Sequence, residues 1–314
     1  MKVLVTGGTG YLGRAVVSAL ASRGHEVVVF ARSASRSGLP GTGIDGDIRD
    51  RAAVERAAAG CDAIAHAAAL VSIWRRRRAD FDDINVGGLR NVLAAAATQR
   101  TARVLYTSSF VAIPPRGRSE PLLANDYQRT KVEADAIAGQ AVGEGVPLIR
   151  VYPGVVYGPG TFTEGNLVGR LIADHLAHKL PGLVGPEQRW SYAYVDDVAA
   201  GHCAALERGR VGGRYALGGE NAPQRRVFEI LQQLTGRRPP PRIPFPIAAL
   251  MGAAEELRVT LFGGTPLITR GAVEIFRHDW SLDSSEAIRD LGYTLMPLDL
   301  GVKRTLESIE ARRS

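Results

Sequence analysis

Cysteine, lysine and long apolar runs are all scarce in this 314-residue chain. Two cysteines, Cys61 and Cys203, are too few for a disulfide framework, so a reducing cytoplasm is the expected location. The N-terminus has no signal-peptide pattern, because an apolar strand begins at Lys2 and leads directly into glycines. No apolar run approaches the ~20 residues that a membrane span needs. These absences predict a soluble protein of the cytoplasm without a membrane span.

Lysine supplies only 4 of the 39 basic residues, and arginine supplies the other 35. The net charge of +7 mildly favours anionic ligands. Hydrophobic residues make up 45% of the chain and charged residues 23%, which argues against a disordered protein. The four arginines at 75–78 lack interleaved aromatics and precede an acidic stretch. We therefore predict a solvated loop near a site entrance there, and no nucleic-acid binding.

Short buried strands alternate with helices through the first half of the chain. The pattern predicts strands near 3–5, 26–30, 44–46, 63–66, 103–107 and 147–151. Helices are expected between them at 10–22, 50–59, 81–98 and 126–142. Apolar strands separated by helices predict an α/β fold with a Rossmann-like, doubly wound parallel sheet. Ligands of such a sheet bind at the carboxyl ends of the strands.

The second half is broken up by glycine and proline after residue 159. We expect helices near 166–178, 196–207, 224–235, 247–260, 266–277 and 284–291, in a smaller, mostly helical substrate lobe. Residues 1–158 would form the dinucleotide-binding domain and residues 159–314 the lobe. Because 192–195 and 214–217 have strand character, we expect both to return to the main sheet, so the lobe is discontinuous within about 189–218.

A glycine-rich loop lies between the first strand and the first helix. Gly7 permits a tight turn, Gly10 lets a pyrophosphate approach the backbone, and Gly13 allows close packing of helix on strand. The helix N-terminus adds free N–H groups and partial positive charge. The loop therefore predicts dinucleotide binding by Gly7, Thr9, Gly10, Tyr11, Leu12 and Gly13.

The spacing G-x-x-G-x-x-G resembles the extended short-chain dehydrogenase/reductases, also called the NAD-dependent epimerase/dehydratase superfamily. Further segments resemble that branch in order, at 62–68, 85–91, 127–131, 152–159, 190–198 and 291–293. The similarity covers nearly the whole chain. It is greatest to the group of dihydroflavonol reductases, 3β-hydroxysteroid dehydrogenases and farnesol dehydrogenases.

Tyr127 and Lys131 form the Y-x-x-x-K pair and share one face of a helix. A nearby ammonium stabilises a phenolate, so we expect Lys131 to lower the pKa of Tyr127 and to hold the nicotinamide ribose. The resemblance implies a catalytic serine after the fifth strand, and its alignment favours Ser109. Ser108 fits better as a serine that satisfies backbone groups at the strand end. The loop from Ser109 to Tyr127 is shorter than in the family.

The second strand ends without a carboxylate, and Arg32 follows it. Arginine pairs with a 2′-phosphate, so NADP(H) is favoured and NAD(H) is the alternative. Asp47, followed by Ile48, resembles the residue that receives the adenine amino group, although an N-cap or turn aspartate is the competing interpretation. The resemblance adds cofactor contacts from the ends of the fourth and sixth strands: Ala67, Ala68, Pro153, Val155 and Val156.

The resemblance implies an NAD(P)-dependent oxidoreductase that interconverts a carbonyl and an alcohol on a bulky, apolar small molecule. The apolar residues of the lobe are compatible with such a substrate: Trp190, Phe245, Leu250, Phe262 and Ile275. The alternatives are a nucleotide-sugar epimerase or dehydratase with tightly bound NAD, and a non-catalytic nucleotide sensor.

A homodimer formed through the helices at 81–98 and 126–142 is expected from the family. His175 and His178 have no converging ligands in the sequence, so no metal site is predicted.

Overall fold

Seven parallel strands form the main sheet of the computed structural model, which describes residues 1–312. Their order across the sheet is β10-β6-β5-β4-β1-β2-β3. The strands are β1 (Lys2–Thr6), β2 (Glu26–Ala31), β3 (Thr42–Asp45), β4 (Ala63–His66), β5 (Arg103–Thr107), β6 (Leu148–Pro153) and β10 (Arg214–Leu217). The predicted Rossmann-like parallel sheet is confirmed, and all its carboxyl ends lie at one edge.

Helices cover both faces of this sheet. One face carries α1 (Tyr11–Ser22) and α7 (Val195–Arg208), whose apolar residues join those of β1 and β2 in one core. The other carries α2 (Arg51–Ala58), α4 (Gly88–Gln99) and α5 (Asp126–Gly143) in a second core. The helix predicted for 81–98 is confirmed, with a difference in its first turns, where a short α3 (Ala79–Phe81) continues as a π-helix, Asp82–Gly87, before α4 begins.

A smaller sheet of order β11-β9-β7 begins with the strand that follows β6 in the chain. It contains β7 (Val155–Tyr157), β9 (Arg189–Tyr194) and β11 (Glu220–Pro223), and a two-stranded pair joins β8 (Leu183–Val184) to β12 (Arg242–Ile243). The helices here are α6 (Leu167–Leu176), α8 (Arg225–Thr235), α9 (Phe245–Phe262), α10 (Arg270–Phe276), α11 (Ser285–Leu291) and α12 (Leu298–Glu310).

Two sequence predictions about this part need correction. The segment at 192–195 does not return to the main sheet, because β10 occupies the place beside β6 and β9 pairs with β7 and β11. The return of 214–217 is confirmed. Sequence analysis also missed α12, whose apolar residues pack into the core around the smaller sheet: Leu298, Val302, Leu306 and Ile309.

The cysteines and His175, for which we predict no functional role, are buried or packed against other side chains. Cys61 and Cys203 are buried and free, as expected for core residues. His175 packs edge-on against Phe228, and no group of three or more potential metal ligands converges within residues 1–312. In the same part of the chain, no helix is both long and apolar enough to cross a bilayer.

Two fully buried histidines predict a fold that loses stability in mild acid. His66 is hydrogen-bonded to Thr6 and His202 to Val198, each at 2.7 Å. Burial lowers the pKa of His66 to about 3 and that of His202 to about 4. Both values lie below the ~6.5 of an unfolded histidine, so stability is fully present above that pH and falls as the pH drops towards the folded values. Each histidine contributes a slope of about 1.4 kcal/mol per pH unit.

We expect the free energy of unfolding, measured with urea, to fall steeply from about pH 6.5 to about pH 5. In His202→Asn, which cannot titrate, that slope should decrease by roughly half. A variant with the same slope as the wild type would show that His202 is not the titrating group.

Candidate active site

The glycine loop is held tightly between β1 and β4. Gly7 has a φ of 72°, in the region that favours glycine, and its N–H donates to the Phe30 carbonyl at 2.9 Å. A Cβ on Gly7 would lie 2.5 Å from the Cα of Ala68, and a Cβ on Gly13 would lie 2.2 Å from the Gly7 carbonyl oxygen. Ala67, the residue before Ala68, donates its N–H to the Thr6 carbonyl at 3.1 Å. Neither glycine position therefore has room for a side chain.

The N-terminus of α1 is built to receive an anion. The N-cap is Gly10, which has no side chain that could bond to the first N–H groups, and the first turn contains no acidic residue. The first N–H groups of a helix lack intrahelical partners, here those of Tyr11, Leu12 and Gly13. A Cβ on Gly10 would approach only the Gly7 carbonyl oxygen, at 3.2 Å, so its outer side is open. This cradle fits the pyrophosphate of a dinucleotide.

Two other loop residues, Thr9 and Tyr11, contact residues outside the loop. The Thr9 carbonyl accepts a hydrogen bond from Arg14 Nε at 3.1 Å. The side chain of Tyr11 packs against the turn at Gly158 and Gly160, where added Cβ atoms would lie 3.3 Å from its Oη and 2.9 Å from its Cε2. Tyr11 thereby connects the glycine loop to the segment that leads into the smaller part of the protein.

The side chains expected near the adenosine lie beyond β2 and β3. Arg32 is exposed directly after β2. Asp47 forms an ion pair with Arg49 at 2.6 Å and accepts a hydrogen bond from the Arg49 backbone N–H at 3.0 Å. It is therefore a turn aspartate, and its pKa falls to about 2. The Arg49 hydrogen bond is the largest cause of that shift. Ile48 is buried, and its carbonyl accepts from Asn91 Nδ2 at 2.9 Å.

Ser109 and Tyr127 meet at the carboxyl edge of the main sheet. Ser109 follows β5 and is buried, and a hydrogen bond between its side chain and Tyr127 acts to lower the pKa of the phenol. The Ser109 hydroxyl also accepts from the Val111 N–H at 3.4 Å. The expectation that the Ser108 hydroxyl satisfies backbone groups is wrong: it has no backbone partner within the described residues and faces the Tyr106 hydroxyl, whose pKa it acts to lower against the larger effect of burial.

Burial raises the pKa of Tyr127, and the Ser109 hydrogen bond opposes this only in part. The lowering of this pKa that we expect from Lys131 stays a prediction, because burial and the Ser109 hydrogen bond are the two causes of the shift in the protein alone. The ammonium of Lys131 instead donates to the Thr107 carbonyl at 3.0 Å. Tyr127 consequently stays protonated at neutral pH, which suits a side chain that gives a proton to a substrate.

Lys131 is buried near Ser109 and Tyr127, and one acidic residue, Asp135, acts on its charge. Burial lowers its pKa to about 8, and the charge of Asp135, one turn further along α5, opposes that effect. Asp135 accepts a hydrogen bond from the Tyr152 hydroxyl at 3.1 Å and lies 3.6 Å from Arg150. Lys131 therefore keeps most of its positive charge at neutral pH.

The predicted contacts from the sixth strand lie at the same edge. Ser108 N–H donates to the Val151 carbonyl at 2.9 Å, which joins the ends of β5 and β6. Pro153 ends β6 and is buried. Val155 is buried at the start of β7, and Val156 packs partly against the main core. The structure thus brings the ends of β1, β4, β5 and β6 to one edge of the sheet.

An aromatic group beside Ser109 was missed by sequence analysis. Phe110, the next residue, lies 5.4 Å from Trp280 and 6.3 Å from Trp190 between ring centroids. Trp190 stacks on Phe276 at 4.9 Å. The position of Phe110 directly after Ser109 was the available signal.

Two of the apolar residues expected in the substrate lobe are exposed instead. Leu250 is 72% exposed and Phe262 is 82% exposed, because both lie on the outer face of α9. Phe245 and Ile275 are partly buried, and Trp190 is buried. Apolar composition therefore does not reveal which side chains of this part of the chain face inward.

The arginine loop at 75–78 borders a cavity of about 650 Å³. All four side chains are exposed, as predicted for a solvated loop. Arg78 makes a two-bond ion pair with Asp126, the residue before Tyr127, at 2.8 Å for each bond. The cavity lies between this loop and two other segments and is lined by Ser72, Trp74, Arg75, Arg76, Arg77, Asp80, Glu164 and Thr265.

Comparison with known proteins identifies the family. The model of the NAD dependent epimerase/dehydratase family matches residues 3–218. The chain belongs to this family. Within the epimerase/dehydratase family, this member is 32% identical to a protein named sterol demethylase protein B from Methylococcus capsulatus, over 93% of each chain.

Two further relatives have names that denote reductases. A putative dihydroflavonol 4-reductase from Synechocystis is 30% identical over 92% of this chain and 88% of its own. A 4-hydroxy-2-methyl-3-oxo-4-farnesyl-3,4-dihydroquinoline-1-oxide ketoreductase from Stigmatella aurantiaca is 32% identical over 93% and 92%. The UDP-glucose 4-epimerase of Thermotoga maritima is 22% identical over 100% of each chain, with a TM-score of 0.82, which shows the shared fold.

Proposed function

We propose that this family member is an NADP(H)-dependent reductase that converts a ketone on a bulky, apolar small molecule to an alcohol. The observation that carries the proposal is the hydrogen bond between the Ser109 side chain and Tyr127 one helical turn from the buried Lys131, since a phenol held in this way can give a substrate oxygen the proton that ketone reduction requires. The relatives named as reductases of a dihydroflavonol and of a farnesylated ketone support the same substrate class.

Each residue of the site has a distinct task in this reaction. A bound nicotinamide cofactor supplies the hydride. The α1 N-terminus and the open side of Gly10 hold its pyrophosphate. The Ser109 hydroxyl donates to the substrate carbonyl oxygen and orients it, and Tyr127 Oη–H gives its proton to that oxygen as negative charge develops there. The Lys131 ammonium stabilises the resulting phenolate and holds the nicotinamide ribose.

The aromatic group defined by Phe110, Trp190, Phe276 and Trp280 supports the preference for an apolar substrate. Trp190 and Trp280 are buried, whereas Phe110 is half-buried and adjacent to Ser109 in sequence, so an apolar substrate body can pack on the Phe110 ring while its carbonyl reaches the Ser109 hydroxyl. Such rings give large contact areas without charge.

The cofactor preference is tested at Arg32. We expect Arg32→Gln to raise KM for NADPH by about tenfold, the effect of losing one hydrogen bond to a charged group, and to leave KM for NADH nearly unchanged. Arg36→Gln, which removes a neighbouring charge, is the matched control. Equal losses for both nucleotides would assign Arg32 a structural role, and no loss for either would remove it from the cofactor site.

The reaction itself is tested by offering NADPH together with apolar ketones, a 3-oxosteroid and a farnesylated ketone among them, and following the loss of NADPH absorbance. We expect stoichiometric oxidation of NADPH with a bulky ketone and none with acetone. Conversion of UDP-glucose without net change in nucleotide would contradict the proposal and identify an epimerase.

The homodimer expected from the family stays a prediction. No large apolar side chain is exposed on α4 or α5 within residues 1–312. An interface there would consist of small and charged side chains, such as the ion pair between Arg129 and Asp82.

A further inference from the structure

Exposed apolar side chains are concentrated on α9 and the loop after it. Of the fifteen large apolar side chains exposed in residues 1–312, seven lie between 247 and 267. Scattered exposed apolar residues are ordinary, but a contiguous group marks a binding surface. We call six of them the α9 ridge: Ile247, Leu250, Leu257, Leu261, Phe262 and Leu267.

The packing of α9 fixes which way the ridge faces. Ala248, Gly252 and Val259 are the buried residues of this helix. A Cβ on Gly252 would lie 2.8 Å from the backbone nitrogen of Arg270, so the inner side of α9 is pressed closely against the start of α10. Ridge residues 247, 250, 257 and 261 recur at helical spacing on the opposite side. The ridge therefore points outward from a firmly seated helix.

The acidic residues of α9 do not make the ridge negative. Glu255 pairs with Arg258 at 2.9 Å, and Glu256 pairs with Arg270 at 2.8 Å. Glu255 also accepts from the Leu267 N–H at 2.9 Å, which ties the loop back to the helix. Each carboxylate on the helix is thus compensated by a cation on or beside it.

Uncompensated positive charge lies next to the C-terminal end of the ridge. Thr265, between Phe262 and Leu267, lines the same cavity as Arg75 and Arg76. The next two arginines of that loop are paired with Asp80, Asp83 and Asp126. Arg75 and Arg76 have no carboxylate within 4.0 Å among residues 1–312, and both are exposed.

We propose that the α9 ridge binds an anionic lipid surface, with Arg75 and Arg76 contacting the headgroups. An outward apolar ridge beside exposed arginines presents apolar side chains to the acyl region of a bilayer and cations to anionic headgroups, and no helix within 1–312 is suited to span the bilayer. A second copy of this chain is a poorer occupant, because it would bring the same arginines and another net charge of +7.

Binding in this orientation would place the cavity mouth at the lipid surface. The cavity is bordered by Thr265 of the ridge loop and by the arginine loop, whose Arg78 is ion-paired with the residue before Tyr127. An apolar substrate dissolved in lipid would then be held close to the loop whose Arg78 is paired with Asp126. Only this consequence rests on the proposed function; lipid binding itself does not.

Vesicle flotation of the full chain tests the proposal without substrate or nucleotide, so its outcome is independent of the reductase assignment. We expect wild type to float with vesicles of phosphatidylcholine mixed with phosphatidylglycerol, and much less with phosphatidylcholine alone. Leu257→Glu/Leu261→Glu should bind the mixed vesicles about tenfold or more weakly, because two exposed leucines that would be buried in the lipid are lost. The matched control is Val211→Glu/Ile288→Glu, which replaces two exposed apolar residues outside the ridge and adds the same two negative charges. It should bind like wild type.

Arg75→Gln/Arg76→Gln should abolish the preference for phosphatidylglycerol. The proposal is overturned if wild type binds neither vesicle, or if the ridge variant binds as well as the control. It is also overturned if light scattering shows a wild-type dimer that the ridge variant converts to a monomer, because the ridge would then be a contact between copies.

Discussion

Tyr127→Phe should reduce kcat by about a hundredfold or more, the usual contribution of a general acid, while leaving nucleotide affinity nearly unchanged. The substitution removes only the hydroxyl that lies beside Ser109. The ring still fills its place in the first turn of α5, so the glycine loop and Lys131 are undisturbed. Initial rates with NADPH and the best ketone, together with NADPH titration by fluorescence, measure the two quantities separately.

Tyr157→Phe is the matched control for this experiment. Its hydroxyl is buried without a hydrogen-bond partner in the described residues and faces Gly301 of α12, away from Ser109. We expect wild-type kcat from this variant. If Tyr127→Phe keeps more than about a tenth of the wild-type rate, a barrier change of ~1.4 kcal/mol or less, Tyr127 is not the proton donor.

Gly13→Ala should weaken NADPH binding by about a hundredfold, the loss of two hydrogen bonds to a charged group at about 1.5 kcal/mol each. The added Cβ would lie 2.2 Å from the Gly7 carbonyl oxygen, so the loop or α1 must move and the first-turn N–H groups lose their alignment. The forced shift should also cost about 1–3 kcal/mol of stability. Isothermal titration measures the first effect and urea denaturation the second.

Gly143→Ala provides the comparison, because a Cβ at this last position of α5 meets no atom within 4 Å. We expect unchanged NADPH affinity and equal or slightly higher stability, since alanine favours a helix more than glycine does. Tight NADPH binding by Gly13→Ala would mean that the pyrophosphate does not rest on the α1 N-terminus.

The main sheet was predictable because its signals are local. Strands β4 and β5 were placed correctly from short apolar runs alone, and the returning strand at 214–217 was found as well. The π-helix at Asp82–Gly87 was not, since apolar spacing over six residues does not distinguish it from an α-helix. The assignment of β9 to the smaller sheet depended on β10 occupying the edge beside β6, a competition between distant segments that neither segment reveals by itself.

The candidate site was predictable where motif and strand end coincide. The glycine loop, Ser109, Tyr127 and Lys131 do lie at one edge of the sheet. The electrostatics were not predictable, because the pKa of Tyr127 depends on burial by residues far away in sequence. The outward direction of Leu250 and Phe262 also escaped prediction, since α9 is apolar on most sides and only its contact with α10 shows which side is inner.

The nucleotide released when the freshly purified protein is denatured tests the central claim, net reduction of a ketone, most directly. A reductase must exchange its nucleotide in every turnover, whereas an epimerase returns the hydride and keeps NAD bound. We predict that chromatography finds little NAD, and that the intact protein then binds NADPH more tightly than NADH. Near-stoichiometric NAD in the released fraction would contradict the account and favour the epimerase.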